Sequence, residues 1–186
     1  MRYTFLLLLV SVSSVGASAP TDFLSECYPN EYEIYANEIL QIGLDKPRFR
    51  RATRFLAILS LSIPHDNLEI KAVTLAQAGL ETGYGRSKLS KSKNYFGINY
   101  ISKSKFIKDV ARLITGKIWS RGDKCYKSVF RSNNACITYH RALLKGRYYQ
   151  EGMTTGQLTN SLQRNGYAAD KKYAKKLNYI IKKFNL

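Results

Sequence analysis

Residues 66–87 read DNLEIKAVTLAQAGLETGYGRS, a pattern that predicts a helix ending on an isolated acid. Asp66 and, three positions on, Glu69 have the spacing of a capping box, in which two side chains satisfy end amides reciprocally. Ile70, Val73, Gln77 and Leu80 recur at helical spacing. Gly83 and Gly85 stop the helix, because glycine takes the left-handed conformation readily. From Ala72 to Leu80 the residues are mostly apolar or small, so Glu81 is expected at a partly desolvated surface. Desolvation and the negative end of the helix dipole both favour a protonated carboxyl. A glutamate raised from roughly 4.3 toward 6 or 7 suits proton donation to a glycosidic oxygen near neutral pH. From position alone, a surface glutamate at a frayed helix end is the plainer reading.

Outward from this segment the pattern is mainly helical. Glu31 to Gln41 reads as a helix capped by Asn30, and Ala52, Phe55, Leu56 and Leu59 form an amphipathic stripe. Residues 94–130 lack clean helical periodicity and read as short strands and loops, with Val110 to Ile118 fitting neither period well. Ser132 or Asn133 then caps a helix to about Lys145, and Thr154 or Thr155 caps another to about Arg164. Asp170 is expected to cap the last helix, whose Tyr173, Leu177, Ile180, Ile181 and Phe184 share one face.

The chain opens on Met1 and Arg2, an apolar run from Phe5 to Val15 and the small residues Gly16 to Ala19. This is the pattern of a secretory signal peptide, too short for a span of roughly 30 Å. Residues 20–65 read as an N-terminal helical extension and residues 66–186 as the catalytic domain. Without residues 1–19, the 186-residue chain keeps the length of one ordinary domain. Thirty Lys and Arg against 13 Asp and Glu give a net charge of +17, which draws the chain to polyanions. Export makes an anionic cell wall the expected target, and no nucleic-acid motif organises the basic residues. Cys125 and Cys136 flank a short predicted turn region and are the expected disulfide, with two free buried thiols as the alternative. No zinc-type spacing is present, and no metal or other cofactor is expected.

Beyond Glu81 come Tyr84, Tyr95, Phe96, Tyr100 and Trp119, aromatics able to form a platform for sugar rings. Fourteen tyrosines are more than a core needs, since each buried hydroxyl wants a partner.

At this point the segment QAGLETGYGRSKLSKSKNYFGIN (77–99) resembles the motif block of the peptidoglycan beta-N-acetylglucosaminidases, glycoside hydrolase family 73. Two later blocks agree in order: KSVFRSNNACITYHRALLKGRYY (127–149) and NGYAADKKYAKKLNYII (165–181). The resemblance implies a lysozyme-like, mainly α (α+β) fold, in which a helical lobe faces a small mobile β lobe across a substrate groove. It implies Glu81 as general acid and Tyr167 as the active-site tyrosine. Asn94, Phe96 and Gly97 match a turn that shapes the groove, with Tyr95 in place of the usual leucine, and Ala169 departs from the usual threonine. In the family a second acid lies in the β lobe, which leaves Asp109 and Asp123. Asp123 is favoured, because Gly122 frees its loop and Lys124-Cys125-Tyr126 leads into the matched strand.

The expected protein is thus a secreted or periplasmic, monomeric endo-beta-N-acetylglucosaminidase acting on peptidoglycan glycan strands, held at the anionic wall by its lysines without stable membrane insertion. A muramidase or lytic transglycosylase on the same scaffold is the nearest alternative, although the Gly-Leu-Met-Gln signature of the latter is absent. A non-catalytic cationic wall-binding protein is the alternative from another class.

Overall fold

The computed structural model describes residues 29–100, 112–122 and 124–186, with Pro29 and Asn30 described in backbone only. The expected signal peptide, Cys27, Asp109 and Asp123 lie outside the described residues. In chain order the elements are α1 (Pro29–Asp45), a 3-10 turn (Pro47–Phe49), α2 (Arg50–Ser60), α3 (Leu68–Thr82) and α4 (Lys88–Lys91). They continue with β1 (Ile114–Ser120), β2 (Cys125–Phe130), α5 (Asn133–Arg147), α6 (Thr155–Arg164) and α7 (Tyr173–Phe184). The architecture is mainly helical with a small antiparallel sheet, as the sequence implies. Among the described residues no helix is long and apolar enough to cross a membrane.

α3 is the axis of the helical body, packed by α2, α5, α6 and α7. Every residue from Ile70 to Gly79 is buried, the behaviour of a helix covered on all sides. Small residues let the neighbours approach, and Gly79 does so most closely: a Cβ there would meet the Tyr84 ring at 2.8 Å. The helix ends as its glycines predict, with Gly83 at φ 55° donating to Gly79 O. Its start differs. Asn67, not Asp66, is the cap, accepting from Ile70 N at 2.7 Å, while Asp66 pairs with Arg141 and Lys145 of α5. A carboxylate gains more from two cations than from one amide, which leaves the neighbouring amide side chain to cap.

Ser132 and Thr154 cap α5 and α6, the latter with Gln157 in a capping box. Asp170 accepts from Lys172 N at 2.8 Å but stands outside α7, whose first residue is Tyr173. Tyr173, Leu177, Ile180 and Phe184 are buried as the stripe predicts.

The β lobe is a two-stranded hairpin in which Lys117 faces Ser128 and Trp119 faces Tyr126. The segment 98–100 lies along β2, with Ser128 N donating to Ile98 O at 2.9 Å and Tyr100 N to Tyr126 O at 2.8 Å. Residues 94–98, read as strand or loop from their period and as a turn from the motif they match, form a turn. Asn94 holds it closed: its Oδ1 accepts from Ile98 N, and its Nδ2 donates to Ile98 O and Ser128 O, each at 2.9 Å. One buried amide thereby stitches the turn after α4 to β2.

The expected disulfide is not formed, and both thiols are free. Cys125 begins β2 and Cys136 lies in the first turn of α5. An extended strand of this length separates its ends by roughly 17 Å, whereas bridged Cα atoms lie about 4.4–6.8 Å apart.

Candidate active site

Glu81 sits in the last turn of α3, partly exposed, where the helix emerges from the core. Its Oε1 accepts a 3.0 Å hydrogen bond from the hydroxyl of Tyr173, the first residue of α7. Its Oε2 lies against Gly97, where an added Cβ would come within 3.2 Å. Gly97 holds φ 62°, so glycine answers both the left-handed turn and the close approach. The Asn94 turn thus brings a bare stretch of backbone to the carboxylate.

Tyr167 closes the wall behind Tyr173. Its ring stacks on that of Tyr173 with centroids 5.7 Å apart, and its hydroxyl donates to Phe96 O at 3.2 Å. Burial, then the neighbouring Tyr173 and Glu81, push the Tyr167 phenol well above its ordinary value. Burial and Glu81 do the same to Tyr173. Both phenols therefore stay neutral donors wherever the protein is folded near neutrality.

From the β lobe, the Lys127 ammonium, 8% exposed, donates to Gly97 O at 3.0 Å and to Asn99 Oδ1 at 2.8 Å. Asn99 Oδ1 also accepts from the Cys125 thiol at 3.3 Å. A cation is thereby fixed to the backbone turn that flanks Glu81.

The aromatic residues divide. Phe96 is 1% exposed and stacked on His140 with centroids 3.7 Å apart, and Asn94 is fully buried. Neither side chain reaches a groove surface, and what they contribute is the turn itself. Tyr84 packs on Gly79 and edge-on to Phe184, and Tyr95 packs edge-on to Phe55 of α2. Of these four residues, expected to bind substrate, Asn94 and Phe96 are buried, while Tyr84 and Tyr95 pack on their neighbours and stay half-buried. Tyr100 and Trp119 stay at the surface of the β lobe. Trp119 is 51% exposed and meets Tyr126 edge-on, while the Lys117 ammonium lies over the rings of Tyr100 and Tyr126.

Sequence reasoning missed Tyr173, Gln77, Lys127 and Asn99. Gln77 carried a readable signal: it stands four residues before Glu81, on the same helical face. Tyr173 appeared as one apolar rung of α7, because periodicity reports burial and not what a hydroxyl touches.

With this geometry in hand, comparison with known proteins is decisive at the level of family. The family model described as "Glucosaminidase: Mannosyl-glycoprotein endo-beta-N-acetylglucosaminidase" matches residues 67–186. The chain belongs to the glucosaminidase family, glycoside hydrolase family 73. It is a glycoside hydrolase. Among solved structures, it is similar to the catalytic domain of the autolysin Auto from Listeria monocytogenes, with 24% identity over 91% of this chain and 88% of that one, at a TM-score of 0.44. It is also similar to the glycoside hydrolase domain of FlgJ from Salmonella typhimurium, with 26% identity over 81% of this chain and 88% of that one, at a TM-score of 0.45. Comparison with curated proteins finds no match.

Proposed function

We propose that this glucosaminidase is an exported endo-beta-N-acetylglucosaminidase that hydrolyses the bond between N-acetylglucosamine and N-acetylmuramic acid in peptidoglycan, with Glu81 as general acid. The observation that carries the reading is the setting of Glu81: a carboxylate at the end of a buried helix, oriented by Tyr173 and flanked by the bare backbone of Gly97.

Glu81 gives its proton to the glycosidic oxygen as the bond to the anomeric carbon breaks, so the electron pair leaves on a neutral hydroxyl. Water then forms the new bond at the anomeric carbon, and the proton it loses passes to a carboxylate, Glu81 or the proposed Asp123. Asp123, between β1 and β2 in sequence, is the proposed second carboxylate, and the sugar's own acetamido group is the other source of assistance. Tyr167 keeps the turn against Glu81 through Phe96 O and supports the acetamido group or the developing charge. Tyr100 and Trp119 offer ring faces to the glycan.

Family membership supports peptidoglycan as substrate. The charge of +17 supports a polyanionic wall as the place of action, and Lys171, Lys172, Lys175, Lys176 and Lys182 stand exposed on and beside α7. Residues 1–19 would direct export to the periplasm or cell exterior. Mass spectrometry of fragments from purified peptidoglycan tests activity and bond together. N-acetylglucosamine at the new reducing end is expected, and Glu81→Gln should release nothing. Reducing-end N-acetylmuramic acid, or undiminished release by Glu81→Gln, would sink the reading.

A further inference from the structure

A line of polar groups crosses the interior of the helical body and ends on Glu81. His140 Nε2 of α5 lies 3.0 Å from Gln77 Oε1 of α3, Gln77 Nε2 donates to the Tyr173 hydroxyl at 3.0 Å, and Tyr173 donates to Glu81 Oε1 at 3.0 Å. His140 and Gln77 are wholly buried and Tyr173 is 3% exposed. Three helices thus contribute one group each, in a region where unpaired polar atoms are costly.

The line has a direction. Complete burial, then the adjacent Arg141, push His140 down to about 3, so its ring carries a single proton near neutrality. Nδ1 is buried without a hydrogen-bond partner. A proton there would strand a buried N–H donor, whereas a proton on Nε2 is satisfied by Gln77 Oε1. That choice turns the Gln77 amide nitrogen toward Tyr173, and the one phenolic proton is left for Glu81.

We propose that His140, Gln77 and Tyr173 form a positioning relay that keeps Glu81 Oε1 an acceptor and so places the transferable proton on Oε2, the oxygen alongside Gly97. The inference rests on Glu81 being the general acid. In the step, the Oε2–H bond breaks, the proton bonds to the glycosidic oxygen, and its electron pair stays on the carboxylate. The donor at Oε1 then stabilises the charge so formed. Among the described residues, titratable or charged groups around this centre include Tyr167, Tyr148 and Cys136, Arg141 beside His140, and the Lys127 ammonium on the far side of Gly97. Each of them is unchanged by the substitutions below. A donor to the charged form lowers a carboxyl's pKa, so weakening the relay raises Glu81 and moves the alkaline limb of kcat to higher pH.

The test uses the purified full chain on soluble peptidoglycan strands. Gln77→Met and Gln77→Glu should lose about tenfold in kcat with little change in KM, and the alkaline limb should rise by about one pH unit. The larger shift is expected for Gln77→Glu, whose carboxylate would capture the Tyr173 proton. His140→Phe should shift the limb the same way, and His140→Gln, which sets an amide donor where Nε2 was, should not. Folded Gln77 variants with an unmoved limb, beside an inactive Glu81→Gln, would overturn the relay while leaving the general acid standing. An active Glu81→Gln would instead remove the general acid itself. Should the Gln77 variants not fold, nitrogen-15 NMR of the histidines in the unaltered protein decides: His140 protonated on Nε2 supports the relay, and protonated on Nδ1 overturns it.

Discussion

The Tyr173 hydroxyl donates to Glu81 Oε1 across 3.0 Å, joining the first residue of α7 to the last turn of α3. Tyr173→Phe keeps the ring that stacks on Tyr167 but removes the hydroxyl shared by Gln77 and Glu81. Stability should fall by about 1–3 kcal/mol, the cost of leaving a buried donor unmatched. The alkaline limb of activity should rise as well. Urea unfolding that matches the unaltered protein would show that the hydroxyl carries no such bond.

Gly97 is a second point at which local backbone and the proposed chemistry meet. Gly97→Ala places a side chain at φ 62° and 3.2 Å from Glu81 Oε2, costing about 1–2 kcal/mol in backbone strain alone. Gly152 provides the control, at φ 78° with nothing within 4 Å of an added Cβ. Both substitutions should lower the unfolding midpoint similarly, and Gly97→Ala alone should cut kcat, by about tenfold or more. Equal activity in the two variants would separate the Gly97 contact from catalysis.

How far the fold could be read in advance depended on what kind of force fixed each feature. α3 and its glycine stop were legible because burial and left-handed backbone are written in residue type. The cap was not, since Asp66 and Asn67 are both good caps and the choice was made by Arg141, which lies 75 residues away. Glu81 stood out as an acid on an apolar helix, but Tyr173 looked like a core residue because a polar contact inside a core leaves no periodic trace. The motif placed Asn94 and Phe96 in a turn, but not that the turn meets Glu81 through its backbone at Gly97 while the side chains of Asn94 and Phe96 are buried.

The two described cysteines should differ sharply in reactivity. Cys125 is partly exposed at the start of β2, whereas Cys136 is fully buried and its thiol is pushed up to about 12, first by burial. Iodoacetamide on the folded protein should label Cys125 and spare Cys136, and urea should expose Cys136. Peptide mapping reads both sites. A Cys125–Cys136 bridged peptide under non-reducing digestion would contradict the free thiols.

Lys71 gives stability a dependence on pH whose sign can be worked out. The side chain is fully buried, and its three ammonium protons meet Ser60 O at 3.0 Å, Ile63 O at 3.1 Å and His65 Nε2 at 2.5 Å. Tyr32 and Tyr35 of α1 cover it with their rings, 4.9 and 4.7 Å from the nitrogen. Burial, then Arg141, lower its pKa from 10.5 to about 7. Between those values the unfolded chain binds the extra proton, so stability rises with pH, by at most about 1.4 kcal/mol per unit from this group. Below about 7 the lysine is charged in both states and its slope vanishes. From about 9 upward this gain is opposed, because burial raises Cys136 from 9.0 to about 12, burial and then Glu38 raise Tyr35 from 10.0 to about 12, and the unfolded chain loses both protons first. Urea unfolding between about pH 7 and 9 should therefore show a positive slope that Lys71→Met removes. A slope that survives in Lys71→Met would assign it to other groups, and a flat profile in the unaltered protein would mean that the cage holds the ammonium without penalty.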